Sequence, residues 1–389
     1  MTTHPGEPAA FPSGPPAARP SSRWRTIAAV AVQVVLILLA AEGILRLVGY
    51  QPPDLRPRVA LFPRFPAFYE PNRDLGWVLK PNLDWTTLEV AIPFRTDAFG
   101  HRVHGPADPP PGDGAGAPAV ETAATVDCLG DSSTFGFGVP AEQTYPAQLE
   151  ARLRASTGDP TLRVRNFGVP GYTSYEARLL AERDRAHAPV TIVWVGFNDH
   201  FPALPSHTRS KSLLRRRIAY ACFRSRACAF FFDRLTWRDP NAPPVNPPTP
   251  DAYYPDVPPD DYVEQLARTI RALRAAGSEP ILLIYPPLSV DAAMRLEIAK
   301  FWQQPIELVD ANLAAHTEYQ TLTRQVAARE NVRVVDLAPA FDAVGNAGLH
   351  FDWVHPNPAG QELIARLVEP EVRAALVKRA ASTGSPSNP

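Results

Sequence analysis

Cysteine is scarce: the 389-residue chain holds three, Cys128, Cys222 and Cys228. No Cys/His cluster has zinc spacing, which argues against a structural metal. Cys222 and Cys228 are close enough in sequence to bridge in an oxidising compartment, or to stand as two small apolar residues on a helix. Cys128 falls inside an expected core strand and reads as a buried thiol. An excess of either charge is missing too. Lys and Arg total 39 against 40 Asp and Glu, a net charge of −1, so no global field draws the chain to nucleic acid or an anionic surface. No basic stripe interleaved with aromatics dominates, which sets nucleic acid aside as a partner.

Proline is abundant instead, at 45 residues. It gathers at the N-terminus, around 105–118, at 240–259 and in the last few residues. Such stretches cannot continue helices or central strands and read as tails and linkers. Apolar residues make up 45% and charged residues 20%, an ordinary globular balance that permits a sizeable core. The length suits one large domain with appendages or two modest ones.

Residues 1–22, rich in Pro, Ala, Gly and Ser, read as a disordered tail. Arg23 and Arg25 then precede an apolar run from Thr26 to Ala41, which continues through Leu45, Leu47 and Val48. At that length the run can cross a bilayer, which needs roughly 20 residues. Glu42 and Arg46 interrupt it at the i,i+4 spacing that favours a helical ion pair. The expectation is a single-pass anchor over 23–49, with a cleaved signal peptide as the alternative. The catalytic part is then membrane-anchored on the extracytoplasmic, periplasmic side. Arginines flank both ends of the run, so the positive-inside count hardly decides orientation. Residues 50–121 read as a connector with a small β region, ending in a Pro/Gly loop.

From Thr125 short apolar strands alternate with amphipathic helices. Strands are expected at Thr125–Leu129, Leu162–Asn166, Thr191–Val195, Pro280–Tyr285 and Val332–Leu337. Helices are expected at Tyr145–Arg154, Ser174–Ala186, Tyr262–Ala276, Thr317–Glu330 and about Pro358–Lys378. This order predicts βαβ units and a parallel sheet covered on both faces, spanning 122–379, before a short tail at 380–389. Functional groups of such sheets gather beyond the carboxyl ends of the strands.

Four of those ends carry suggestive residues. The first strand runs into Gly130-Asp131-Ser132, where a tight turn can expose a serine nucleophile; alone, the tripeptide is equally an ordinary turn. The second ends near Gly171, whose N–H can approach a substrate oxygen, before a Thr or Ser helix cap. The third ends in Gly196-Phe197-Asn198-Asp199. Asn198 is either a turn former or a side-chain donor to an oxyanion, a role worth about 3 kcal/mol or more. Asp352 and His355 follow the last strand, three residues apart, so one loop can present an acid and the base it orients.

Taken jointly, a serine, a glycine amide, an asparagine and an Asp/His pair in this order resemble the SGNH/GDSL hydrolases. The likeness runs from about Thr125 to Leu376. It implies a flavodoxin-like three-layer αβα fold with a central, mostly parallel five-stranded sheet. It also implies Ser132 as nucleophile, His355 as general base and Asp352 as its orienting acid. The Ser132 amide, Gly171 and Asn198 would form the oxyanion hole. No cofactor and no metal are implied. Asp74-Leu75-Gly76-Trp77, Phe99-Gly100-His101-Arg102 and Asp-Trp-Val-His-Pro at 352–356 look like the bacterial envelope members with an N-terminal anchor. The implied activity is a serine esterase acting on a small-molecule, glycan or lipid ester. An O-acyltransferase using the same residues and a non-catalytic binding module are the alternatives. The Pro-rich insertion at 201–259, with several arginines and phenylalanines, reads either as a lid or as a solvated insertion. Oligomeric state is not encoded in any of these patterns.

Overall fold

The computed structural model describes residues 22–50, 68–84, 94–104, 125–183, 187–201, 217, 220, 225–228, 230–231, 253, 255–302 and 305–383. The expected N-terminal tail, the Pro/Gly loop, Cys222 and most of the insertion lie outside them. The chain divides into two compact units, one of 1–53 with 222–237 and one of 54–221 with 238–389.

In the smaller unit a single helix, α1 (Ser22–Leu47), holds the apolar run. Its stretch Arg25–Leu47 is long and apolar enough to cross a membrane, and side chains such as Ile37 and Leu39 are exposed. The Glu42 carboxylate accepts from Arg46 Nε at 2.7 Å, so the i,i+4 pair forms. It also accepts from Ser225 Oγ and the Ala227 N–H, both at 2.9 Å. Cys228 in this segment carries a free thiol.

The larger unit begins with an antiparallel hairpin, β1 (Tyr69–Asn72) and β2 (Gly76–Leu79). Asn72 Oδ1 turns the chain by accepting from the N–H groups of Asp74 and Leu75 at 3.1 and 3.0 Å. The main sheet contains β3 (Val126–Gly130), β4 (Val164–Gly168), β5 (Val190–Trp194), β6 (Glu279–Ile284) and β7 (Arg333–Asp336). Its order is β4-β3-β5-β6-β7 and every pairing is parallel. The chain passes from β3 to one side and then to the other, so its topological switch point lies beside β3.

Alternate side chains of each strand face opposite layers. Val126, Cys128, Ile192, Trp194, Ile281 and Leu283 pack on one side. That side is covered by α3 (Tyr145–Thr157) and the last helix, α10 (Pro358–Thr383). Leu129, Val193, Val195 and Leu282 pack on the other, against α4 (Ser174–Arg183), α6 (Pro259–Ala275) and α8 (Ile306–Arg329). The result is the expected three-layer αβα architecture. The short helices α2 (Ser132–Phe135) and α5 (Phe197–His200) begin just after β3 and β5, while among the described residues α7 (Ala292–Trp302) and α9 (Ala338–Val344) follow β6 and β7.

Some boundaries differ from expectation. The second strand is Val164–Gly168, not Leu162–Asn166, because the register that pairs Val126 with Val164 carries it two residues further. Helix α8 starts at Ile306, well before Thr317, and α7 was not anticipated. Both differences fall where contacts with neighbouring helices, not a clean apolar stripe, sustain the helix. Helix α10 runs past Lys378 to Thr383.

The connector is built into this unit. Phe68, Tyr69, Leu75, Leu79 and Phe94 form one apolar cluster with Phe135, Val169 and Tyr172. Arg102, 2% exposed, donates from Nη1 to the carbonyls of Phe135 and Gly136 at 2.6 and 2.7 Å. Its Nη2 donates to the Val139 carbonyl at 2.7 Å, and its guanidinium lies 4.5 Å from the Phe135 ring centre. Burial pushes the Arg102 side chain down to about 9, countered in part by Glu142, so it stays charged at neutral pH. Arg102→Ala should cost on the order of 3 kcal/mol, since three buried carbonyls lose a charged donor. Urea denaturation of the two proteins measures this directly; equal midpoints would show the clamp to be dispensable.

Candidate active site

The sheet register decides what can meet. Gly130 pairs with Gly168 on one side and with Trp194 on the other. The carboxyl ends of β3, β4 and β5 are therefore level, and Ser132, Gly171 and Asn198 follow a few residues beyond that one line. Gly130 is demanded by packing: a Cβ there would lie 2.1 Å from Thr134 Oγ1 and 2.6 Å from the Trp194 carbonyl oxygen. Asp131 caps α2, its Oδ1 accepting from the Ser133 N–H at 2.9 Å. Ser132 is thereby the first residue of a helix starting directly off β3.

His355 arrives from the loop before α10. Its Nε2 lies 2.8 Å from Ser132 Oγ and its Nδ1 lies 2.7 Å from Asp352 Oδ2. The N–H groups of Val354 and His355 both donate to Asp352 Oδ1 at 2.7 Å, which turns Oδ2 toward the imidazole. A carboxylate at Nδ1 fixes the proton there and leaves Nε2 as the acceptor facing the serine. Burial raises the Asp352 carboxyl, but the charge and hydrogen bonds of His355 outweigh it and bring it to about 2. The Phe137 ring packs against His355 at 4.8 Å between centres.

Asn198 Nδ2 lies 2.9 Å from the Tyr172 carbonyl and 3.3 Å from Asp131 Oδ2. It thus bridges the turn carrying Gly171 and the residue preceding Ser132. Gly171 has φ +86°, and the Tyr172 N–H closes its turn on the Val169 carbonyl at 3.1 Å. Thr173 caps α4: its N–H donates to Glu176 at 2.9 Å while its Oγ1 accepts from the Tyr175 N–H at 3.3 Å. All five residues singled out in the sequence thus converge beyond one edge of the sheet.

Two residues of the site were not anticipated. Tyr285 follows β6 and donates its hydroxyl to Asp131 Oδ2 at 2.5 Å. It stood at the end of an expected strand, where its position on the functional edge was the available signal. Gln361 in α10 accepts the Tyr145 N–H at 2.7 Å and donates to the Ser133 carbonyl at 3.2 Å. It ties the helix that follows His355 to the helix that carries Ser132. No local pattern marks a glutamine on a long helix for such a contact.

The sheet, with helices on both faces and these residues beyond its carboxyl edge, defines a three-layer αβα protein. The model of the GDSL-like lipase/acylhydrolase family matches residues 128–363, more than half of the chain, which therefore belongs to that family and is a hydrolase acting on ester bonds. No curated protein matches. Among solved structures, a lipase/acylhydrolase from Enterococcus faecalis is similar at 19% identity and a TM-score of 0.41, over 64% of this chain and 96% of that one. The acetylxylan esterase Axe2 from Geobacillus stearothermophilus is similar at 19% identity and a TM-score of 0.40, again over 64% and 96%.

Buried carboxylates beside the site are held differently. Burial raises Asp131 to about 6, against the pull of the Tyr285 hydroxyl and the Ser133 N–H. Asp199 is fully buried and accepts from the Ser174 N–H at 3.0 Å and from Ser174 Oγ. Burial raises it to about 8; the Ser174 bonds oppose this, while Glu176 and Asp256 add to it. The folded protein therefore holds a proton on Asp199 that the unfolded chain, titrating near 4, has released. Folding binds a proton between those values, so this contribution to stability is present below about pH 4 and is lost as pH rises to about 8. Asp199→Asn should flatten the fall in melting temperature over that window. An unchanged slope would assign the pH dependence elsewhere.

Proposed function

We propose that the protein is a membrane-anchored serine esterase in which Ser132 is the nucleophile, His355 the general base and Asp352 the acid that orients it. The observation that carries this reading is the line of two short hydrogen bonds, 2.8 Å from Ser132 Oγ to His355 Nε2 and 2.7 Å from His355 Nδ1 to Asp352 Oδ2. As Ser132 Oγ attacks the acyl carbonyl, its proton passes to Nε2, and the nearby Asp352 carboxylate stabilises the imidazolium. The carbonyl oxygen becomes an oxyanion held by the amides of Ser132 and Gly171 and by the Asn198 side chain, each donor worth about 3 kcal/mol in the transition state. Collapse expels the alcohol with the proton from His355, leaving an acyl-serine. Water, deprotonated by His355, attacks the acyl carbon and releases the acid.

The Asn198 amide is already engaged by Tyr172 and Asp131. The 3.3 Å contact is the long one, and a forming oxyanion competes for that hydrogen against a carboxylate whose charge is partly satisfied by Tyr285. With α1 as a single-pass anchor, the catalytic unit stands on the extracytoplasmic side and works on acyl esters of an envelope glycan or lipid.

Ser132→Ala in the full chain should reduce hydrolysis of p-nitrophenyl acetate by about a thousandfold or more. A fluorophosphonate should label the native protein at Ser132 and nowhere in the variant. Retained activity would remove Ser132 from the chemistry. For the anchor, sodium carbonate washing should leave the full chain in the membrane pellet, and release into the supernatant would refute it.

A further inference from the structure

The turn that carries Gly171 is gripped from outside the sheet. Val169-Pro170-Gly171-Tyr172 has proline second, a glycine of φ +86° third, and the closing bond from Tyr172 N–H to Val169 carbonyl. That is the type II pattern, in which the central peptide, here Pro170–Gly171, takes no part in the closing bond. Rotating this peptide by half a turn converts type II to type I and sends its N–H to the opposite side.

Here the carbonyl of that peptide is held by two donors from the hairpin. Tyr69 Oη lies 3.2 Å and Trp77 Nε1 3.3 Å from the Pro170 oxygen. Tyr172 Oη donates in return to the Trp77 carbonyl at 2.7 Å. The Trp77 ring packs edge-on against Tyr172 and Tyr69 at 5.8 and 6.4 Å between centres, and Tyr69 is buried. In a trans peptide the C=O and N–H point to opposite sides. Fixing the Pro170 oxygen therefore fixes the direction of the Gly171 N–H. Donation to the carbonyl also polarises the peptide and strengthens its N–H as a donor.

We infer that Tyr69 and Trp77 are positioning residues for acyl transfer, holding the Pro170–Gly171 peptide so that the Gly171 N–H meets the oxyanion. This rests on the reading of Gly171 given above. The hairpin then acts on the reaction without touching the substrate, and its effect falls on the transition state alone.

The test uses the full chain in detergent with p-nitrophenyl acetate, its active sites counted by fluorophosphonate labelling. Tyr69→Phe removes only the hydroxyl; Trp77→Phe removes the indole N–H while keeping an aromatic ring. Each should lower kcat per labelled site by about fivefold to tenfold, and the double variant by about thirtyfold or more, with KM within twofold. Should Trp77→Phe not fold, Tyr69→Phe alone decides. Unchanged kcat per labelled site overturns the inference, whether or not the labelled fraction or melting temperature falls, because the residues then only stabilise the fold. Ser132→Ala is measured alongside. If it is inactive while the hairpin variants keep full kcat, this inference alone fails; if it is active, the serine reading fails and takes the inference with it.

Discussion

The level ends of three parallel strands are the constraint on which the rest depends. Gly130, Gly168 and Trp194 stand in one register, so the segments leaving β3, β4 and β5 emerge side by side at the switch point. A slip of one residue in any pairing would invert the faces of that strand and move its exit by about 3 Å. The register is enforced by burial on both faces, since β3 and β5 are fully buried along their length. Glycine at the end of β3 then lets α2 start within contact of the neighbouring strand.

The loop carrying Asp352 and His355 comes from far along the chain and must be brought to that line by other means. Gln361 does so from α10, bonding the backbone of Tyr145 and of Ser133. The apolar side chains of α10 and α3 pack together beneath it. From the opposite direction the connector closes on the same loops. Arg102 collects the carbonyls after α2, and the β1–β2 hairpin meets the Gly171 turn. An antiparallel bridge between Arg102 and Asn166 also covers part of the outer strand β4, an edge that would otherwise stand open.

Charge inside the unit follows distance from cationic partners. Asp127, near the start of β3, is fully buried, yet it is lowered, because His187 and the bidentate Arg165 outweigh desolvation. Asp131, at the other end of the same strand, has hydroxyl and amide donors and no guanidinium, and burial raises it. At the site end of the sheet the ionised state of Asp352 is instead secured by His355 and two backbone N–H groups.

The alternation of short apolar strands with helices determined the αβα class, and the position of chemistry-bearing residues at strand ends determined which ones converge. Ser132, Gly171 and Asn198 were legible because each sits just beyond a strand, where the chain must turn; Asp352 and His355 were legible from their three-residue spacing before the last helix, although α9 separates them from β7. The Glu42–Arg46 pair was legible because helical spacing alone brings it together. What depended on tertiary structure is everything set by long-range contact. Strand β4 lies two residues from its expected place because pairing to β3, not local pattern, fixes its ends. Tyr285 and Gln361 enter the site only once the sheet and α10 are packed. Trp77 and Arg102 stood out as members of connector motifs, but what they and Tyr69 hold did not, since those carbonyls belong to residues distant in sequence. A hydrogen bond between remote residues leaves no period in the sequence, so the candidate site residues could be read from the chain and the contacts that hold them in place could not.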